Sequence, residues 1–267
     1  MSNDAGDPGG SQTVMNSTAL SINGAFASMA QQLDLCDIQN VAKSMGVQPA
    51  TSPTFPAIVA PMVIGGSYGV APVAMAGAYA TIANNGVYCK PVAIDKVVKT
   101  DGSELPVPKT GCKRVLDEGI AVAAASALRG TLAYGTAAGD RTEDGIYEFG
   151  KTGTTDNAYD TWMDGTTSKV TTAVWVGNNG RLPGRPLQGL RLTSFDTQPC
   201  YRSGGGTAAI ARHCIWHDIQ AAVNKEYGGA TSWAQPEAQY LNGGAATTSP
   251  TATGSVPNVS GQSPAAA

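Results

Sequence analysis

Eight residues, 148–155, decide how the rest of the chain is interpreted, and they read Glu-Phe-Gly-Lys-Thr-Gly-Thr-Thr. The β-prone residues before Lys151 predict a strand, and the hydroxyl and glycine residues after it are typical of a strand edge that holds a ligand. Gly153 has no side chain, so a substrate backbone can come close to the strand. Thr152 and Thr154 lie on one face of a strand, where their hydroxyls can bind a carboxylate. Lys151 adds a positive charge, and the segment therefore predicts an anion-binding strand edge.

A second short pattern, Ser21-Ile22-Asn23, lies far upstream of Lys151. Apolar residues spaced three and four apart predict one amphipathic helix over residues 17–33, with Ser21 and Asn23 in its first turn. Taken alone, these two side chains are typical of residues that cap backbone N–H groups, and Lys-Thr-Gly alone is typical of an ordinary strand end. Their combination and order favour a shared site.

Composition limits the function classes. The chain has 267 residues, a formal net charge of −3 and a pI of about 5.3, so no nucleic-acid partner is expected. No apolar run reaches membrane-spanning length, and the amino terminus lacks the pattern of a secretory signal. No cofactor motif is present. His213 and His217 are four residues apart, but no acidic residue lies between them and no third ligand is evident, so no metal site is predicted.

The five cysteines allow two interpretations. Cys89 and Cys112 flank a predicted β-hairpin with its turn at residues 101–102, and Cys200 and Cys214 flank a Gly-rich loop. Two disulfides with Cys36 left free are one interpretation, and five reduced core cysteines are the other. Disulfides would indicate a protein that works outside the cytoplasm.

The pattern of elements predicts an α/β (α+β) fold, in which an antiparallel sheet is flanked by helices. Three strands are predicted over residues 145–153, 158–165 and 169–177, and their short connections favour antiparallel pairing. Helices are predicted over residues 37–45, 72–84, 116–132 and 207–227, the last with Ala211, Ile215, Ile219, Ala222 and Val223 on its buried face. Residues 1–16 are expected to be a disordered amino terminus, 17–227 a partial domain, and 228–267 a disordered tail rich in Ser, Thr, Pro, Gly and Ala.

Five segments carry a resemblance to a known family. They are residues 21–26, 71–87, 150–155, 160–163 and 173–177. Together they resemble the transpeptidase domain of bifunctional (class A) penicillin-binding proteins, particularly the actinobacterial members, over about residues 15–225. The resemblance implies the fold that these proteins share with serine β-lactamases, and it implies covalent acyl transfer on the D-alanyl-D-alanine end of peptidoglycan stem peptides.

The resemblance also implies a role for each site residue. Ser21 would relay a proton toward the leaving amine, Asn23 would bind the substrate amide, and Lys151 would hold the charge of the network. Thr152 and Thr154 would bind the terminal carboxylate, the Thr154 N–H would form half of an oxyanion hole, and Gly153 would keep the strand edge open. The implied partners are peptidoglycan stem peptides and, for the intact protein, β-lactam antibiotics. The implied location is the extracytoplasmic face of the membrane, with attachment only through an amino-terminal part that this chain lacks.

One departure from the family pattern matters more than the agreements. No lysine in the sequence is preceded by a serine three positions earlier, so the Ser-x-x-Lys element that carries the family's nucleophile is absent. We therefore expect a carboxyl-terminal portion whose fold is incomplete on its amino-terminal side, and which forms no acyl-enzyme with penicillin. The alternatives are a D,D-carboxypeptidase or β-lactamase relative, in which water resolves the acyl-enzyme, and a non-catalytic module that binds wall peptide.

Overall fold

A computed structural model describes residues 10–56, 59, 63–65, 68–155, 158–177 and 207–241. The predicted turn at residues 156–157 and the predicted loop over residues 178–206 lie outside this part. The helices are α1 (Val14–Ala19), α2 (Asn23–Ala30), α3 (Leu35–Ser44), α4 (Pro72–Ala83), α5 (Glu118–Ala133), α6 (Ala211–Tyr227) and α7 (Ala238–Leu241). The strands are β1 (Val87–Cys89), β2 (Val97–Val98), β3 (Glu104–Leu105), β4 (Cys112–Arg114), β5 (Phe149–Thr154), β6 (Asp160–Thr166) and β7 (Thr171–Gly177). None of the described helices is both long enough and apolar enough to cross a bilayer.

The central sheet has the order β5-β6-β7, and both pairings are antiparallel, as predicted. Met163 on β6 and Val174 on β7 point to one face, where they form a buried cluster with Leu132 of α5 and Trp216 of α6. The opposite face carries Asp164, which lies close to Tyr79 of α4. Helices therefore cover both faces of an antiparallel sheet, and the predicted α+β fold class is confirmed.

A glycine on β6 lets α6 approach the sheet closely. A Cβ atom at Gly165 would lie 2.4 Å from the Trp216 ring, so no larger residue fits there without a shift of the helix. The indole N–H of Trp216 also donates to the Thr172 carbonyl at 3.2 Å. Trp216 is fully buried as a result, and it fixes the position of α6 against the sheet.

The prediction of one helix over residues 17–33 is wrong. The helix is broken at Ser21, whose φ of 58° is left-handed and cannot continue a right-handed helix. The N–H of Ser21 donates to the Thr18 carbonyl and the N–H of Ile22 to the Ser17 carbonyl, which is the bond pattern of a Schellman C-cap. The predicted disordered segment, residues 1–16, extends too far. Its last residues are helical, because α1 begins at Val14 with Thr13 as its N-cap.

The hairpin and the disulfide pattern agree with the first interpretation of the cysteines. β2 pairs with β3, and β1 pairs with β4 so that Cys89 lies opposite Cys112, to which it is disulfide-bonded. Cys214 is also disulfide-bonded, while its predicted partner Cys200 lies outside the described residues. Cys36 is free and exposed.

The buried face of α6 is not the predicted one. Ile215 and Ile219 are 41% and 44% exposed, whereas the residues that face the core are mostly polar: Arg212, His213, Trp216, His217, Gln220 and Asn224. The polar residues are tolerated in the interior because the sheet and the preceding loop supply hydrogen-bond partners, such as the Thr172 hydroxyl for Gln220 and the Glu148 carboxylate for Asn224. An apolar stripe could not have revealed this face.

The tail is ordered beyond the predicted boundary at residue 228. The Tyr147 N–H donates to the Ala230 carbonyl, Trp233 stacks on Tyr147, and the Tyr240 hydroxyl bonds Asp117 at the start of α5. Two aromatic side chains therefore anchor residues 228–241 to the domain, although the composition of this stretch is typical of a disordered tail. The remainder of the predicted tail, residues 242–267, lies outside the described part of the chain.

Candidate active site

Lys151 and Ser21 lie in the same site, although they are 130 residues apart in the sequence. Lys151 is in the middle of β5, which is an edge strand of the sheet among the described residues. Its Nζ atom donates to the Ser21 Oγ at 2.7 Å and to the Thr152 carbonyl at 2.9 Å. The two sequence patterns therefore converge, as their combination predicted.

The break between α1 and α2 is what presents Ser21 to Lys151. The Schellman C-cap turns the chain at Ser21, and Ile22, which is buried, anchors the turn. Asn23 follows as the first residue of α2, and the N-cap position of that helix belongs to Ile22, which makes no side-chain cap bond. The Ser21 hydroxyl accepts a hydrogen bond from Lys151, and α2 has no side-chain cap bond at its N-cap, so the alternative interpretation of Ser21 as a simple helix cap is wrong.

The surroundings of Lys151 bring its pKa close to neutral pH. Burial, and second the positive charge of Arg212, lower the pKa of Lys151 from 10.5 to about 8. At neutral pH the amine is still mostly protonated, so it donates a hydrogen bond to the Ser21 hydroxyl. A pKa near 8 lets it take up or release a proton at little cost, which suits a proton relay.

A buried charged cluster lies behind Lys151. Arg212 of α6 is 8% exposed, and its guanidinium donates to the Ala209 carbonyl at 2.7 Å. Burial lowers the pKa of Arg212 to about 10, and the charge of Asp140 opposes that change. Asp140 is also buried and is hydrogen-bonded to His213. The charge of Asp140 acts on Arg212, while its hydrogen bond goes to His213. The positive charges of Lys151 and Arg212 repel each other, and an anionic ligand would relieve that repulsion.

The Lys-Thr-Gly segment differs from expectation in one respect. Thr152 and Thr154 do share a face of β5, but Thr152 is only 8% exposed whereas Thr154 is exposed. The Thr152 hydroxyl is hydrogen-bonded at 2.6 Å to the hydroxyl of Thr136, in the loop after α5. Gly153 lies opposite Trp162, and a Cβ atom at this position would be 3.2 Å from the tryptophan Cβ. A glycine therefore also relieves crowding against the neighbouring strand.

The structure brings Ser21 and Lys151 together, as the sequence predicted, and it places Asn23 at the start of α2 next to Ser21, where its role in the site stays a prediction. Several residues that surround the pair were not predicted. Thr136, Asp140 and Arg212 carried no signal of spacing, because their partners come from different elements. The spacing of His213 from His217 did not indicate its partner, which is Asp140. Next to Thr136, the sequence has a glycine, Gly135, at a point of close packing. A Cβ atom at this position would overlap the Ala19 carbonyl oxygen. This close approach indicates that the loop after α5 packs against the end of α1, next to Ser21.

Several known proteins are similar to this chain in sequence. The family model described as "Penicillin binding protein transpeptidase domain" matches residues 3–179. Penicillin-binding protein 1A of Aquifex aeolicus is 30% identical over 184 residues, which are 68% of this chain and 24% of the relative. Penicillin-binding protein 1A of Streptococcus pneumoniae is 37% identical over 191 residues, which are 66% of this chain and 24% of the relative. The chain thus spans about a quarter of the length of these curated relatives.

Solved structures share the fold. Penicillin-binding protein PonA1 from Mycobacterium tuberculosis superposes with a TM-score of 0.69 at 22% identity, over 88% of this chain and 62% of that one. The same protein in complex with penicillin V gives a TM-score of 0.70 at 22% identity, over 89% of this chain and 62% of that one. With a family model that covers most of the chain, the conclusion is that this chain belongs to the penicillin-binding protein transpeptidase family and is homologous to class A penicillin-binding proteins.

Proposed function

We propose that this chain is the carboxyl-terminal part of a class A D,D-transpeptidase of the actinobacterial type, and that it binds the D-alanyl-D-alanine end of peptidoglycan stem peptides. The observation that carries this proposal is the bond between Lys151 Nζ and Ser21 Oγ, which joins two segments into one site with buried positive charge. The likeness to a mycobacterial structure supports the actinobacterial type. The domain comprises the ordered residues from α1 to α7, and the disulfides support an extracytoplasmic location.

In this proposal each residue acts on one part of the substrate. Lys151, Thr152 and Thr154 bind the terminal carboxylate, and Asn23 binds the peptide amide. In a longer product that supplies the nucleophile, the Thr154 N–H would stabilise the oxyanion formed when that nucleophile adds to the peptide carbonyl. In that longer product Ser21 would pass a proton to the D-alanine amine as the peptide bond breaks, and Lys151, with its pKa of about 8, would serve as the charge partner of that relay. Gly153 leaves the strand edge open for the substrate backbone.

The sequence contains no element that would supply the family's nucleophile. Because no Ser-x-x-Lys element is present in the sequence, the polypeptide as printed binds the peptide without forming an acyl-enzyme. The same observation favours the second candidate function, a module that binds wall peptide without chemistry. The two candidates make the same prediction for this chain and differ only in whether a longer product of the gene supplies a Ser-x-x-Lys element.

The test compares an N-acetylated L-Lys-D-Ala-D-Ala peptide with its carboxyl-terminal amide, by calorimetry at pH 7. We expect the free acid to bind about tenfold more tightly, because only the carboxylate carries a negative charge that pairs with the Lys151 ammonium. This preference should decline as the pH rises through about 8, where Lys151 loses its proton while the peptide carboxylate stays ionised. Equal affinity for the acid and the amide at pH 7 would rule out a carboxylate site.

A further inference from the structure

We infer that Thr136 is a positioning residue that sets the direction of the hydrogen bond made by the Thr152 hydroxyl. The inference rests on the proposed function, in which Thr152 binds a carboxylate. In the bound state the Thr136 hydroxyl donates a hydrogen bond to the Thr152 oxygen, and the Thr152 hydroxyl donates a hydrogen bond to the ligand.

The position of Thr136 is fixed by its backbone. Its N–H donates to the Ala19 carbonyl at 3.0 Å, two residues before Ser21, and the N–H of Ala137 donates to the Thr131 carbonyl at 3.0 Å. Gly135 permits the close approach, because any Cβ atom there would overlap the Ala19 carbonyl oxygen. The loop after α5 is therefore locked against the end of α1, independently of the Thr136 side chain.

The side chain then reaches the other half of the site. The Thr136 and Thr152 hydroxyl oxygens are 2.6 Å apart, a distance typical of a strong O–H···O hydrogen bond. The contacts form a closed path: Ser21 bonds Lys151, Lys151 is adjacent to Thr152, Thr152 bonds Thr136, and Thr136 bonds Ala19. Thr136 thus connects the two segments that Lys151 also connects.

The direction of the Thr136 bond follows from what a carboxylate can do. An ionised carboxylate only accepts hydrogen bonds, and a hydroxyl has one proton to donate and two lone pairs to accept with. If Thr152 donated to Thr136, its oxygen would present only a lone pair to the ligand, and the contact would be repulsive. Thr152 can donate to a carboxylate without losing a bond only when Thr136 is the donor of the pair. The role of Thr136 is to hold Thr152 in that state.

The experiment measures the affinity ratio between the N-acetylated L-Lys-D-Ala-D-Ala peptide and its amide, using calorimetry at pH 7 with the full chain. Thr136→Val keeps the shape of the side chain but has no hydroxyl, and we expect it to lower the ratio about fivefold while the affinity for the amide stays unchanged. Thr136→Ser keeps the hydroxyl and should retain the wild-type ratio. If Thr136→Val does not fold, Thr136→Ala gives the same comparison, because the backbone bonds of residue 136 remain in both.

Three outcomes decide the matter. A reduced ratio in Thr136→Val with recovery in Thr136→Ser supports the inference, since a purely structural role would change both affinities alike. An unchanged ratio in Thr136→Val, or a loss of the ratio in Thr136→Ser as well, overturns the inference and leaves the proposed function intact. Wild-type protein that shows no preference for the acid overturns the proposed function itself, and the inference with it.

Discussion

Replacing Lys151 with methionine is expected to stabilise the fold and to weaken peptide binding at the same time. Binding of the free-acid peptide should fall by about ten- to a hundredfold, because a charge-assisted hydrogen bond to the carboxylate is removed. The free energy of unfolding at pH 7 should rise by about 1–2 kcal/mol. Burial and the charge of Arg212 lower the pKa of Lys151 from 10.5 to about 8, which destabilises the native state by more than the bonds to Ser21 and Thr152 recover.

The pH dependence of the free energy of unfolding is a second, independent measurement on Lys151→Met. The pKa of Lys151 is lower in the folded chain than its ordinary value, so between pH 8 and pH 10.5 the unfolded chain binds more protons. Wild-type stability should therefore rise with pH in this window, and the rise should be smaller in Lys151→Met. Lys113→Met, at an exposed position on β4, is the matched control and should change neither binding nor stability. A loss of stability in Lys151→Met together with unchanged binding would contradict this account.

Asp164→Asn is expected to stabilise the protein at pH 8 by about 2–4 kcal/mol and to have little effect at pH 4. Asp164 is in the middle of β6, opposite Lys151 on one side and Ala173 on the other, and is 4% exposed. Its Oδ1 atom is buried and has no hydrogen-bond partner among the described residues. Burial raises the pKa of Asp164 from 3.8 to about 7, so at pH 8 the folded chain holds a poorly solvated carboxylate.

The sign of the Asp164 effect is the reverse of the usual one for a carboxylate. Because the pKa of Asp164 is higher in the folded chain, that chain binds more protons between pH 4 and pH 7, and wild-type stability falls as the pH rises through this window. Asparagine is neutral at every pH in this range, so the free energies of unfolding of the two proteins should differ only above about pH 4. Urea unfolding at the two pH values measures this difference, with Asp95→Asn at an exposed position as the control. Destabilisation at pH 8 would show that the carboxylate is paired in solution.

The sheet was predictable because its strands are encoded locally. Alternation and turn residues gave all three strands of the sheet to within a few residues, and the antiparallel order followed from their short connections. The ends of α5 were likewise predictable from Asp117, whose side chain caps the helix, and from the alanine-rich run that follows. Local sequence patterns are sufficient to predict elements of this kind.

The remainder depended on contacts between distant segments. The break at Ser21 lies inside a stretch with helical periodicity, and only the bonds of the turn and the partner Lys151 favour a serine in a left-handed conformation. The polar face of α6 is buried because Asp140 and Thr172 lie opposite it. Thr136 lies in a loop, and its hydroxyl gains a role only through Thr152. In each case the partner is remote in the sequence, so local patterns carry no information about it.

We propose that the Ser21 turn and the Lys-Thr-Gly strand form a single site for the carboxyl end of a peptide. The most direct test is an NMR titration of the backbone amides of Ser21, Asn23, Gly153 and Thr154 with the N-acetylated L-Lys-D-Ala-D-Ala peptide. We predict that the signals of both segments shift together and follow one dissociation constant. Shifts confined to one segment, or two different dissociation constants, would contradict a shared site.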